Sequence, residues 1–153
     1  MNFLIIFFAQ YFIIVVVLIA LWYFWKLSKV HKISLLKLSV ISLPLSYLTA
    51  KFLKLVIKDP RPFVVDHSIK PLFPHIADNG FPSDHTLLTM TIAAIIFVYN
   101  RKLGILLAIF SLIIGFSRVA AGVHHALDII GAAVIAVTTT YISYLVLKFV
   151  IKR

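Results

Sequence analysis

The chain has 153 residues, enough for one domain and too few for two. It is 62% hydrophobic, with 15 basic and five acidic residues, which excludes a soluble globule with an ordinary polar surface. The net charge of +10 does not indicate nucleic acid, because the basic residues sit at the ends of apolar runs and form no stripe. The sequence has no cysteine, so disulfides and thiolate metal sites are excluded.

The first apolar run, Phe3 to Trp25, holds 23 residues without a charge. At 1.5 Å per residue it is about 35 Å long, enough to cross a hydrocarbon core. It lacks a basic leader and a small-residue cleavage site, so a retained helix is expected. Trp22, Tyr23 and Trp25 at its end suit the membrane interface. A second span is expected over 35–53, with Pro44 inside it and Lys37 and Lys51 near its ends. Residues 54–85 read as a loop, since they carry five of the six prolines. Three more spans are expected over 86–99, 103–116 and 129–147. The 86–99 and 103–116 spans are short for a bilayer, which suggests a polar site recessed below the membrane surface. The expected architecture is thus all-α: a polytopic membrane helix bundle of about five spans forming one domain, 1–153. The 63–81 stretch is partly apolar and is expected to shape lateral lipid entry.

Five spans would place the 54–85 loop and Arg118–Asp128 on one side of the membrane. The other side would hold Lys26, Lys29, Lys32, Lys37, Arg101, Lys102, Lys148, Lys152 and Arg153 with no acid. By the positive-inside rule that side is cytoplasmic. The polar segments then face the extracytoplasmic side of the cell membrane.

Those polar segments contain three blocks: Lys54–Arg61–Pro62 (K-x6-R-P), Pro82–Ser83–Asp84–His85, and Ser117–Arg118–His124–Asp128 (S-R-x5-H-x3-D). Ionisable groups in so apolar a chain point to function. Lys54, Arg61 and Arg118 offer cations for a phosphate ester, arginine in a bidentate mode and lysine as a point charge. Lys54 taken alone also reads as a snorkelling anchor. Ser83 begins a helix, where a capping role and anion binding by free N–H groups agree. Asp84 in the first turn suits the helix dipole. On a helix, His124 and Asp128 would share a face. The carboxylate would then fix the tautomer and leave the other ring nitrogen free to attack phosphorus. His85 would be the general acid. His125 is the competing nucleophile, but on a helix it points about 100° away. His67 and His75 lie in the loop with no partner at a telling spacing. A metal held by His124, His125, Asp128 and His85 is an alternative, disfavoured because three cations would repel it.

The three blocks, in this order, resemble the type 2 phosphatidic acid phosphatase superfamily, which also includes soluble haloperoxidases that hold vanadate. The resemblance covers Lys54 to Asp128 and implies a core of that kind. It implies that Lys54, Arg61, Ser83 and Arg118 bind phosphate, His85 is the acid, His124 forms a phosphohistidine and Asp128 supports it. It also implies that no metal or other cofactor is needed and that the site works on the outer face. Asp84 stands where many members have glycine. The P-S-D-H form looks like the bacitracin-resistance type of undecaprenyl diphosphate phosphatase, and so Asp84 is grouped with the phosphate-binding block. Many relatives have six spans, so five suggest a trimmed fold. The expected function is hydrolysis of undecaprenyl diphosphate to the monophosphate, with a polyprenyl diphosphate or phospholipid substrate and the bilayer as partners and no nucleic acid. The alternatives are another lipid phosphatase (for phosphatidic acid, phosphatidylglycerophosphate or lipid A) or a phospholipid transporter or binding protein without catalysis.

Overall fold

The computed structural model describes residues 2–151, which fold almost entirely as helix. Helix α1 spans Asn2–Lys26, and Phe7–Tyr11 within it form a π turn. Helix α2 spans Lys29–Val56, α3 spans Asp84–Tyr99, α4 spans Arg101–Ala120 and α5 spans Ala126–Ile151. A single turn, Pro62–Val65, interrupts the loop between α2 and α3. Among the described residues, α1, α2, α4 and α5 are long and apolar enough to cross a membrane, and α3, with 16 residues, is shorter.

The expected spans are all present as helices, but their ends differ. Helix α2 begins six residues before the expected 35 and runs to Val56, through Pro44. Lys54 is therefore in its last turn, and the loop begins only at Ile57. The reason is that lysines at helix ends extend their stems along the apolar surface and carry their charge outward. Helix α4 runs over 101–120, past the expected 103–116. At about 30 Å it is not short. Only α3 keeps the reduced length expected of two spans.

Helix α3 is the hub. It packs most extensively on α4 and also against α5, α2 and α1. Its buried face carries Leu87, Met90, Ala93 and Ile96, which join Leu107 and Ile114 of α4 and Ala132, Ile135 and Ala136 of α5 in the main core. Hydroxyls stitch the helices together: Thr89 Oγ1 lies 2.7 Å from Ser111 Oγ, and Thr91 Oγ1 donates to Ser46 Oγ at 3.2 Å. Such buried polar pairs suit a bundle with no hydrophobic force between helices in lipid.

The outer faces are apolar. Leu55, Leu127 and Trp25 are about 70% exposed, which in water would cost about 25 cal/mol per Å². With four helices of spanning length, the chain is a multi-pass membrane protein. Trp22 and Trp25 are exposed at the end of α1, and Lys32 Nζ stands 5.6 Å from the Trp25 ring. A cluster of Leu35, Leu38 and Ile95 with Tyr23, Leu27, Tyr99 and Leu147 closes this basic end of the bundle. At the opposite end Ala9, Phe73, Ala121 and Val123 form a second small core. The loop between α2 and α3 settles on that end, where Leu72 N donates to Ala121 O at 3.0 Å.

Candidate active site

The polar end is assembled from four stretches of chain. The α2–α3 loop is knotted by Asn79. Its Nδ2 donates to the carbonyls of Lys54 (2.9 Å) and Ile57 (2.6 Å), and its Oδ1 accepts from Asp59 N (3.0 Å). A bridge between Pro60 and Asn79 and a bond from Gly80 N to Asp59 O (2.8 Å) complete the knot. Arg61 is thereby held inward, with only 5% of its surface exposed. The turn after α4 uses Gly122 at φ +74°, a left-handed backbone that disfavours other residues. It delivers Val123 and His124 beneath Arg61.

Arg61 NH1 donates to Val123 O at 2.7 Å and lies 3.3 Å from His124 Nε2. His124 Nδ1 lies 3.0 Å from Asp128 Oδ2. Both side chains are almost wholly buried. With Nδ1–H donating to the carboxylate, the Nε2 lone pair faces the guanidinium. Burial first, then the charges of Arg118 and Arg61, push the His124 imidazole down to about 3, so the ring is neutral.

His124 and Asp128 are not on one helix face, as the four-residue spacing suggests. His124 belongs to the turn before α5, and Asp128 to the first turn of α5. The contact forms because that turn folds back over the helix start. His125 points its part-exposed ring toward Asp59, and its backbone N–H donates to Asp128 Oδ2 at 2.9 Å.

Arg118 is also buried. It donates from NH1 to Ala9 O at 3.1 Å, and its NH2 lies 3.3 Å from His75 Nε2. The guanidinium stands 6.0 Å over the Phe73 ring, and its Nε has no protein partner. The Ala9 carbonyl belongs to the π turn of α1, a distortion common near functional sites. Ser83 is fully buried at the N-cap position of α3, yet its hydroxyl does not cap the helix. It accepts from Thr86 Oγ1 at 3.3 Å, while Ser83 N donates to Asp128 O at 3.3 Å. His85, one residue inside α3, interacts electrostatically with Arg118, His124 and His75. Asp84 is exposed and borders Leu43, Ser46 and Tyr47 of α2. Among the described residues it makes no hydrogen bond to Lys54, Arg61 or Arg118, and in the first turn of α3 its charge suits the helix dipole.

Three residues entered the site unforeseen. Asp78 braces two cations: Oδ2 accepts from Lys54 Nζ at 3.0 Å, and Oδ1 from Arg61 Nε at 2.8 Å. Burial raises its carboxyl, but the bonds from Lys54 and Arg61 outweigh that and hold it below the usual range. His75 lies 6.2 Å from the His124 ring. Burial, Arg61 and Arg118 push it down to about 4. Asp59 is the third. Asp59 lies inside the K-x6-R block at a position that the block leaves unspecified, and His75 and Asp78 have no fixed spacing to a block; the available hint was that all five acids fall on the motif side.

The alternative metal set of His124, His125, Asp128 and His85 does not assemble among the described residues. The groups that converge are instead Asp59, His125 and Asp128, whose ligand-type atoms lie within 4.8 Å of one another.

A model of the PAP2 superfamily matches residues 35–152. The chain therefore belongs to the PAP2 superfamily, which is the family its three blocks resemble. It is 36% identical over 129 residues to undecaprenyl-diphosphatase BcrC of Bacillus subtilis (strain 168), covering 84% of this chain and 64% of that one. It is 32% identical over 99 residues to bacitracin transport permease protein BcrC of Bacillus licheniformis, covering 65% and 49%. A third relative, putative undecaprenyl-diphosphatase YbjG of Escherichia coli (strain K12), is 40% identical over 72 residues, covering 46% and 36%. The chain thus spans less than two thirds of the length of these curated relatives. Among solved structures, LpxE of Aquifex aeolicus shares the fold, with a TM-score of 0.76 at 24% identity over 93% of this chain and 86% of that one.

Proposed function

We propose that this protein is a membrane lipid phosphatase that hydrolyses undecaprenyl diphosphate to undecaprenyl phosphate through a phosphohistidine. The observation that carries this reading is the buried His124, with Nδ1 on Asp128 and Nε2 beside Arg61. The terminal phosphate binds Arg61, Arg118 and Lys54, with the Ser83 hydroxyl and the start of α3 completing the oxyanion cradle. The His124 Nε2 lone pair attacks phosphorus as the bond to the bridging oxygen breaks. His85 gives its proton to the departing undecaprenyl phosphate. His85 then takes a proton from water, which attacks the phosphohistidine, frees inorganic phosphate and restores His124. Asp128 carries no proton in this cycle. It orients the ring and stabilises the charged form.

The relatives named as undecaprenyl-diphosphatases support the choice of substrate. The basic, acid-free helix ends on the opposite side of the bundle support an extracytoplasmic site. The purified protein should release phosphate from undecaprenyl diphosphate, withstand chelators and be inhibited by vanadate. His124→Ala should lower release to background and abolish labelling of the protein by phosphate; unchanged turnover would remove the mechanism. A second reading, transport of a phospholipid without cleavage, draws on the relative named as a transport permease. Head-group movement in sealed vesicles with no phosphate released would favour it.

A further inference from the structure

Asp128 has two oxygens, and only one is accounted for. Oδ2 takes the bonds from His124 and from the His125 backbone. Oδ1 is buried and has no donor. The cycle above leaves Asp59 unused, yet its carboxyl lies, among the described residues, in a group of three with His125 and Asp128. His125 Nδ1 is 3.2 Å from Asp59 Oδ1, but is not aligned for a hydrogen bond. Gly80 makes room for this approach: a Cβ there would stand 3.0 Å from Asp128 Oδ2 and 3.3 Å from the Asp59 carbonyl.

Two carboxylates this close, one part exposed and the other fully buried, do not both stay ionised cheaply, and sharing one proton is the usual resolution. A proton on Asp59 turns it into the donor that Oδ1 lacks. Burial, the hydrogen bond to Asp128 and the charge of Asp128 all push the Asp59 carboxyl up, against a smaller pull from His125 and His124. A metal ion is a poorer occupant. It would sit beside Arg61, whose Cγ is 3.5 Å from the same Gly80 Cβ position, whereas a proton satisfies Oδ1 without adding a second full charge.

We propose that Asp59 is a positioning residue: its carboxyl holds a proton against Asp128 Oδ1 and thereby fixes the carboxylate that orients His124. This deepens the phosphohistidine reading and rests on it. The groups facing the pair are His124, His125 and Arg61.

The test compares Asp59→Asn with Asp59→Ala in the full chain, at matched thermal stability. Histidine ¹⁵N spectra are recorded without substrate, and kcat and KM are measured with undecaprenyl diphosphate. Asn keeps a donor against Oδ1 in every protonation state. It should preserve the Nδ1–H tautomer of His124 and keep kcat within about threefold, well inside the span seen when outer-shell partners are lost. Ala should shift His124 toward mixed tautomers and lower kcat about 10–100-fold, with KM little changed. Unchanged spectra in Asp59→Ala would overturn the proposal, as would an Asn variant as impaired as Ala. Wild-type activity lost to a chelator and regained with Mg²⁺ or Zn²⁺, together with a dead Asn variant, would overturn it in favour of a metal. The spectra need no turnover. A protein with the expected spectra but no phosphate release would therefore count against the phosphatase reading and not against this one.

Discussion

His124 is a histidine made neutral by its surroundings. Its fold favours the uncharged ring, so it adds stability fully above about 6.5, the ordinary histidine value, and loses that contribution as the pH falls toward about 3. Histidine ¹⁵N spectra at pH 5 should show His124 and His75 still neutral, and one neutral signal should vanish in His124→Ala. A fully charged set of histidines at pH 5 would contradict the assignment. Asp78 acts at the same scale. It is part exposed, so its ion pairs are worth little as stability. Their value is geometric, since they hold Lys54 and Arg61 as one unit. Asp78→Ala should raise KM for the lipid and lower kcat/KM about tenfold, equivalent to roughly 1.4 kcal/mol. Equal kcat/KM in the variant would show that the brace is dispensable.

Among elements, the pair α3–α4 sets the geometry of everything above it. Gly104 stands against Phe97, and a Cβ there would fall 2.4 Å from the Phe97 Cα, which is backbone and cannot swing aside. Gly104→Ala should therefore part the two helices and cost about 1–3 kcal/mol, read as a lower melting temperature in detergent. An unchanged melting temperature would mean the contact is looser than it stands here. The existence of the helices was legible because long apolar runs admit few other structures. Their ends were not, because Lys29, Lys32 and Lys54 can lie inside a membrane helix while keeping their charge at its rim. Arg61, His124 and Asp128 were legible from spacing within the blocks. Asp59, His75 and Asp78 were not, since a loop sets no period and only tertiary folding brings them beside the cations. The route by which His124 meets Asp128 was misread for a similar reason: the sequence spacing is that of a helix, but Gly122 ends one helix before the next begins.

At the scale of the whole molecule, charge separates the two ends. One carries lysines and arginines with no acid, and the other carries every acid. This asymmetry predicts orientation. The protein has no native cysteine, so single-cysteine labelling reports cleanly. Ile76→Cys, in the exposed part of the α2–α3 loop, should react with an impermeant maleimide in intact cells. Ser28→Cys, between α1 and α2, should react only after lysis. The reverse pattern would place the site in the cytoplasm and separate it from a substrate presented outside.

The π turn in α1 makes the register of Ala9 against Arg118 a counted quantity. An ordinary α-helix turns about 100° per residue. Deleting one residue from Phe7–Tyr11 would relax the turn to regular helix, but it would also swing the segment before it by that angle and carry the Ala9 oxygen away from the guanidinium. The opening helix is thus keyed to the rest of the bundle like a tooth in a lock. It can change its lipid-facing residues freely, but not the number of residues in the turn that holds Ala9.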